Sequence, residues 1–315
     1  MAPKLIGVLP TYRRQHLVAE AIHGIGRQSR PPDRIVVVDN EGSAETEAIV
    51  RGLGTDVEYV GMTENMGFAG GVAAGMRRVL EFAQDEDWSV LIDDDDPPRF
   101  DDALERLERL AEECLARDPR TAAVGISGGW FDWRRGRMRR VPDDELAGAV
   151  PVDHVAGNCL PCFRVSAVRA VGPFCDEIFF GLSELEFGLR LWRAGYSLYG
   201  HGEMWLESRT ASGRLDRVLR PSRQLPDVNW RRYYTTRNLI FILRRFDHAG
   251  TAVRVTLVPS LAKPLANLFV HPREAVRHLG LSLRAVRDGW TDRMGRRVEP
   301  DGGRRPLKGV FGRAT

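Results

Sequence analysis

Four consecutive aspartates, Asp93, Asp94, Asp95 and Asp96, follow the apolar run of residues 88–92. Successive residues of an extended chain point to opposite faces, so Asp93 and Asp95 share one side. Carboxylates held that close repel one another unless a cation neutralises them. Hard oxygen donors suit Mg²⁺ or Mn²⁺, ions that bridge a carboxylate and a diphosphate. The plainer reading is a solvated acidic loop that caps the following helix. Asp39, which ends Val36-Val37-Val38-Asp39, can accept a hydrogen bond from a nucleobase imide or a ribose hydroxyl, or simply form a turn. The segment Asn65-Met66-Gly67-Phe68-Ala69-Gly70-Gly71 opens a helix with glycines that let a ligand approach the backbone. Pro10-Thr11-Tyr12-Arg13-Arg14 follows the first apolar run.

All four sites come just after short runs rich in Val and Ile. Residues 5–9, 34–38, 57–60, 88–92 and 122–126 predict strands, and residues 15–28, 45–53, 68–83 and 101–117 predict helices. The last helix carries Leu104, Leu107, Leu110, Ala111 and Leu115 on one face. This alternation predicts an α/β fold, a mostly parallel sheet covered by helices on both sides, with ligands at the carboxyl ends of its strands. Further on, residues 154–164 read as a strand and 183–194 as a helix. Helical pieces follow at 230–245, 252–269 and 273–286, with Pro259 and Pro264 interrupting the middle one. The expected organisation is one domain over 1–212, built of two halves, 1–126 and 127–212. A basic helical extension over 213–315 ends in a disordered tail at 300–315.

The 315 residues are 43% hydrophobic and 28% charged, which suits a globular protein with a real core. The longest stretch without a charged residue, 65–76, is well short of the ~20 residues that a membrane-spanning helix needs. Four cysteines do not make a disulfide framework, so a cytoplasmic setting is expected, and Cys159-Leu160-Pro161-Cys162 reads as core packing. Residues 213–315 hold 22 Lys+Arg against 8 Asp+Glu, whereas the first 212 hold 24 against 35. Within this basic region, residues 253–271 are apolar enough to lie on the inner membrane face, to pack on the catalytic domain or to form a homodimer face. The run Arg134–Arg140 has no stacking platform beside it, so nucleic acid is not an expected partner. Trp130 and Trp133, just before it, offer a surface for stacking a sugar or for packing a hairpin.

Together these motifs resemble the family 2 glycosyltransferases of the GT-A fold, over about residues 4–295. The opening strand and turn match at Leu9-Pro10-Thr11-Tyr12-Arg13, the base-recognising aspartate at Asp39, the glycine loop at Asn65-Met66-Gly67-Phe68-Ala69-Gly70, and the Asp-x-Asp metal motif at Asp93-Asp94-Asp95. The acidic catalytic motif matches Glu184-Leu185-Glu186-Phe187-Gly188-Leu189-Arg190, followed by Gly195-Tyr196. Tyr233-Tyr234-Thr235-Thr236-Arg237-Asn238 is similar to a segment of the galactofuranosyl- and rhamnosyltransferase-like branch.

The resemblance implies inverting, metal-dependent transfer from a UDP or dTDP sugar to a hydroxyl on a glycan, a lipid-linked glycan or a small natural product. It makes 1–212 a catalytic domain, with a nucleotide-sugar-binding half at 1–126 and an acceptor half at 127–212. It implies Glu184 as the base and Pro10, Thr11, Arg13, Asp39, Asn65, Gly67, Asp93 and Asp94 at the donor. Trp130, Glu186 and Arg190 would meet the acceptor, although a surface ion pair also explains the last two. Asp93 and Asp95 would hold Mg²⁺ or Mn²⁺, and Glu207 would stand where relatives carry a third, histidine ligand. Ser183-Glu184 departs from the family, whose base is usually an aspartate after another acidic residue. The extra methylene moves the basic oxygen by about one carbon–carbon bond, a shift to which catalysis is sensitive. Two alternatives stay open: a non-catalytic nucleotide-sugar-binding protein of the same fold, and a sugar-1-phosphate nucleotidyltransferase. The latter would carry a glycine- and arginine-rich phosphate loop where this chain has Leu9-Pro10-Thr11-Tyr12-Arg13.

Overall fold

The computed structural model of the chain describes residues 2–215, 230–262, 265 and 272–299. The tail expected at 300–315 and much of the 263–271 stretch lie outside these. Two compact units are present. The first takes in the chain through Phe131 and then Met138–Trp205; the second takes in Asp132–Arg137 and the chain from Leu206 onward.

In the first unit, β1 (Leu5–Thr11), β2 (Arg34–Asp39), β3 (Val57–Gly61) and β4 (Trp88–Leu91) run parallel, in the order β3-β2-β1-β4. The sheet continues through β5 (Thr121–Gly125), β8 (Ala149–Pro151), β10 (Cys162–Arg164) and β11 (Ser197–His201), in the order β10-β5-β11-β8. Of these, β10 is antiparallel to both its neighbours, and β8 is antiparallel to β11. The mixed, mostly parallel α/β sheet with flanking helices is the architecture that the alternation of strand and helix patterns predicts. A small second sheet joins β7 (Arg137–Arg139), β6 (Gly128–Asp132) and β9 (His154–Val155).

Four helices flank the parallel strands: α1 (Gln15–Gly26), α2 (Ala44–Arg51), α3 (Gly67–Phe82) and α4 (Ala103–Arg117). The stripe Leu104, Leu107, Leu110 and Ala111 is buried, in one core with Val18, Ile22 and Ile25 of α1 and Leu5, Leu9, Val37 and Val90 of the sheet. On α3 the contact is closer still. A Cβ at Gly75 would lie 2.4 Å from Val8 Cγ1, so only glycine lets this helix sit so near β1.

The strand expected over 154–164 is instead two short strands, β9 and β10, with residues 156–161 as a loop between them. The chain here includes Leu160 with a φ of 47° and Pro161, which has no N–H to give to a ladder. After α5 (Val165–Val171), α6 (Ser183–Arg193) carries the acidic motif, and α7 is Gly202–Ala211.

Apart from Asp132–Arg137, the described part of the second unit is mainly helical. Here α8 (Trp230–Arg245) packs against α10 (Pro272–Trp290), while α9 (Ala249–Val255) runs into a π-helical turn, Thr256–Ala262, that contains Pro259. Arg237 is fully buried beside the rings of Tyr233 and Tyr234; it donates to Asn238 Oδ1 and to the Gly295 carbonyl. Tyr233 donates to Asp288 Oδ2 at 2.7 Å. The Tyr-Tyr-x-x-Arg-Asn segment is therefore a buried lock between α8 and the end of the described chain.

Candidate active site at the carboxyl edge of the strands

Carboxylate oxygens of Asp93, Asp94 and Asp95 lie within 4.8 Å of one another beyond the end of β4. Asp94 is buried; it accepts from Thr11 Oγ1 at 2.7 Å and from Arg14 Nη1 at 2.5 Å. The same Arg14 nitrogen lies 2.6 Å from Asp95 Oδ2, and Asp95 is exposed. Burial, reinforced by Asp95 beside it, pushes the Asp93 carboxyl up to about 7. Burial also raises Asp94, although Arg14 and Thr11 oppose it. Negative charge is thus crowded at low solvation and only partly relieved by one guanidinium, which is the donor set a hard divalent cation fits.

Of the adjacent arginines, it is Arg14 that reaches this cluster. Arg13 sits in the left-handed region at a φ of 56°, and its exposed side chain pairs with Glu41 at 2.8 Å. Spacing alone did not single out Arg14, because the turn before α1 decides which of the two faces Asp94.

Asp39 is buried at the end of β2. It accepts from Glu41 N and Ser43 N through separate oxygens, and Tyr59 donates to Oδ2 at 3.1 Å. The carboxylate thus holds the turn that begins α2, and together with burial it drives Tyr59 up to about 12. The neighbouring Asn40 receives the Met66 N–H, while Asn65 Oδ1 takes the Gly67 N–H. These bonds fix the glycine loop against β2. On its other side, a Cβ at Gly67 would lie 2.2 Å from the Phe179 carbonyl oxygen, which accepts from Ala69 N.

Phe179 begins the approach to Glu184. Phe179, Gly181 and Leu182 all adopt positive φ, the two non-glycine residues at a conformational cost of order 1–3 kcal/mol each. Helix α6 then starts at Ser183, whose hydroxyl donates to Glu184 Oε2 at 3.0 Å. Burial raises the Glu184 carboxyl above the usual glutamate range. Glu184 lies over the 156–161 loop: a Cβ at Gly157 would fall 2.1 Å from Oε1. The next residue, Asn158, donates to Asp96 Oδ2 at 3.3 Å. One loop therefore touches both the acidic run and Glu184. Residue types alone carry no sign of it, because a lone glycine inside a strand-like run is unremarkable.

The remaining candidates are placed as follows. Glu186 is fully buried and pairs with Arg190, whose Nη atoms donate to the carbonyls of Val171, Gly172 and Pro173. Both side chains hold the end of α5. Trp130 donates through Nε1 to the Pro151 carbonyl and stacks under Arg139 at 4.6 Å. Glu207 is exposed on α7, in the second unit. Trp133, also in that unit, stacks on His248 with centroids 4.2 Å apart, so one ring face is taken. All four cysteines are free thiols, and burial raises Cys162 strongly.

An α/β sheet with acidic residues at its carboxyl edge, followed by a short helix that carries a half-buried acid, is an arrangement that suits a nucleotide-sugar-dependent glycosyltransferase. The sequence profile described as Glycosyl transferase family 2 matches residues 8–167, and the chain belongs to that family. It is 30% identical over 256 residues to galactofuranosyltransferase GlfT1 of Mycolicibacterium smegmatis, covering 75% of this chain and 82% of that protein. Against GlfT1 of Mycobacterium tuberculosis it is 29% identical, over 77% and 83% of the two chains. Among solved structures, the mannosyltransferase PcManGT from Pyrobaculum calidifontis, in complex with GDP-Man and Mn²⁺, superposes with a TM-score of 0.54. That match has 18% identity and covers 93% of this chain and 88% of that one, a likeness of fold. The protein is a glycosyltransferase of the galactofuranosyltransferase-like branch, drawing on a nucleotide-sugar donor.

Proposed function

We propose that the protein transfers a sugar of the galactofuranose class from UDP or dTDP to an acceptor hydroxyl, with inversion at the anomeric carbon. The observation that carries this reading is the 157–158 loop, which touches Glu184 with one residue and Asp96 with the next. It brings an acid that is reluctant to ionise within one loop of the acidic run. A carboxylate whose affinity for a proton is raised is the better base at neutral pH. Glu184 takes the proton of the acceptor hydroxyl as that oxygen bonds to the anomeric carbon. The bond from the anomeric carbon to the diphosphate oxygen breaks, and its electron pair leaves with the nucleoside diphosphate. One displacement with one base inverts configuration.

Asp93 and Asp95 would hold Mg²⁺ or Mn²⁺, which when bound neutralises charge on the diphosphate. Thr11 and Arg14 orient Asp94 and Asp95 beside the donor, and the loop Asn65–Gly70 offers backbone N–H groups at the start of α3. Pro10, Arg13, Asp39, Asn65 and Gly67 complete the donor side of the proposal, with Trp130 toward the acceptor. Glu207 as a third ligand belongs to the same proposal. The acceptor is a hydroxyl on a glycan, whether lipid-linked, the end of a polysaccharide or part of a small product. The described chain supports peripheral membrane contact through Val253, Leu257 and Val258, all exposed beside Arg254.

Calorimetric titration of UDP and of dTDP, each with Mn²⁺ and then with EDTA, tests the donor assignment. Tight binding of one nucleotide that EDTA abolishes is the expected result. Binding of neither to folded protein would remove the pyrimidine-diphosphate reading.

A further inference from the structure

We infer that Gly157 is a positioning residue for Glu184, its missing side chain being the space in which the basic carboxylate sits. The inference rests on Glu184 being the base. A Cβ built on Gly157 would lie 2.1 Å from Oε1, 3.0 Å from Cδ and 3.1 Å from Cγ of Glu184, and no other atom is as near. The backbone at Gly157 is not in the left-handed region, so no turn requires glycine there. What excludes a larger residue is the carboxylate. The loop cannot draw back easily, because Ala156 N donates to Ser127 O at 2.9 Å and Ile126 N donates to Cys159 O at 3.2 Å. An added methyl would be met by the flexible end of Glu184, which would leave its place while the loop stays. Ser183 Oγ holds Oε2 from the other side at 3.0 Å, so the carboxylate is seated between a hydroxyl and a backbone surface. The longer glutamate and the empty Cα position belong together: an aspartate at 184 would not reach across Gly157, and a side chain at 157 would not admit the glutamate.

The test is a double-mutant cycle of Gly157→Ala and Glu184→Asp, read by release of UDP from UDP-galactofuranose and by UDP binding with Mn²⁺. Gly157→Ala should lower kcat about 100-fold, the cost of an ångström-scale misplacement, with UDP affinity unchanged. It should also shift the acidic limb of the pH–rate profile, which a purely structural role would not move. Adding Glu184→Asp, which retracts the carboxylate from the new methyl, should restore activity above that of Gly157→Ala alone. In a Glu184→Gln background the alanine should cost nothing further. Normal kcat in Gly157→Ala, or an equal loss in the Glu184→Gln background, overturns the inference. Should Gly157→Ala fail to fold, the double variant decides: folding regained supports the fit of the pair, and loss in both means that glycine serves the backbone alone. Near-normal turnover by Glu184→Gln itself would instead remove the base assignment, whatever Gly157 does.

Discussion

At the scale of single residues, the site pairs two acids of different burden. Asp95 is exposed and shares Arg14 with buried Asp94, so of these two its carboxylate is the more accessible to a ligand. Asp95→Ala should abolish the Mn²⁺-dependent part of UDP binding while the protein melts as before; calorimetry that finds the same affinity with and without the substitution would end its role as ligand. Glu184→Gln keeps the shape of the side chain and removes its basicity. Nucleotide affinity should stay, and turnover should fall by about 10²–10⁴-fold, the usual worth of a general base. The pH dependence follows from the direction of the Glu184 shift. Burial disfavours the ionised form, so the carboxyl holds its proton to higher pH than a solvated glutamate. Activity needs the ionised form, so kcat should rise with pH through an apparent pKa above the ordinary glutamate value of 4.5. At saturating Mn²⁺, a profile already flat above that ordinary value would contradict the reading of Glu184 as a partly desolvated base.

At the scale of elements, helix α3 shows why some glycines are tolerated and others are required. Its Gly75 faces Val8 Cγ1 at 2.4 Å and Val38 Cγ2 at 3.1 Å from a would-be Cβ, whereas Gly24 in α1 has nothing within 4 Å. Gly75→Ala should therefore destabilise by about 1–3 kcal/mol through overpacking, outweighing the better helix propensity of alanine. Gly24→Ala should stabilise by about 0.5–1 kcal/mol through that same propensity. Urea titration of both variants checks the pair, and a stabilised Gly75→Ala would mean that α3 stands further from β1 than described. The elements that bear the residues proposed for the donor side were legible in the sequence because their periodicity is strong: β1 to β5 and α1 to α4 fall where Val- and Ile-rich runs and the leucine stripe of α4 put them. What periodicity could not convey is local and steric. It could not show that Arg14 rather than Arg13 turns inward, or that the Glu186–Arg190 pair is buried rather than on the surface and holds the carbonyls of residues 171–173. Nor could it show that residues 156–161 leave the sheet to run under Glu184. Each depends on a dihedral angle, on a contact made across seventeen or more residues of chain, or on both.

At the scale of the molecule, the imbalance of charge acquires a place. Among the described residues no helix is long and apolar enough to cross a membrane. The second unit nevertheless exposes Val253, Leu257 and Val258 on consecutive turns, while Ala252, Val255 and Ser260 of the same stretch are buried. A cleft of about 590 Å³ lined by Asp132, Arg134, Arg135 and Arg254 opens in that unit. Arg135 is paired with Asp132 at 3.6 Å, whereas Arg134 and Arg254 are exposed. Apolar side chains next to exposed guanidinium groups match the two attractions that hold a peripheral protein on an anionic bilayer, burial of apolar area and pairing with phosphate. The full chain should therefore sediment with phosphatidylglycerol-containing vesicles and much less with phosphatidylcholine alone. The electrostatic share should weaken as salt shortens the screening length from about 10 Å at 0.1 M to about 3 Å at 1 M. Leu257→Glu with Val258→Glu should release the protein from the vesicles and leave UDP binding unaltered, since these residues belong to the second unit and the acidic run Asp93–Asp96 to the first. Equal binding to neutral vesicles would assign the face to apolar contact alone. Absence of binding to either would leave these side chains to a protein partner, and a lipid-linked acceptor would then have to be drawn to the enzyme without the membrane holding it.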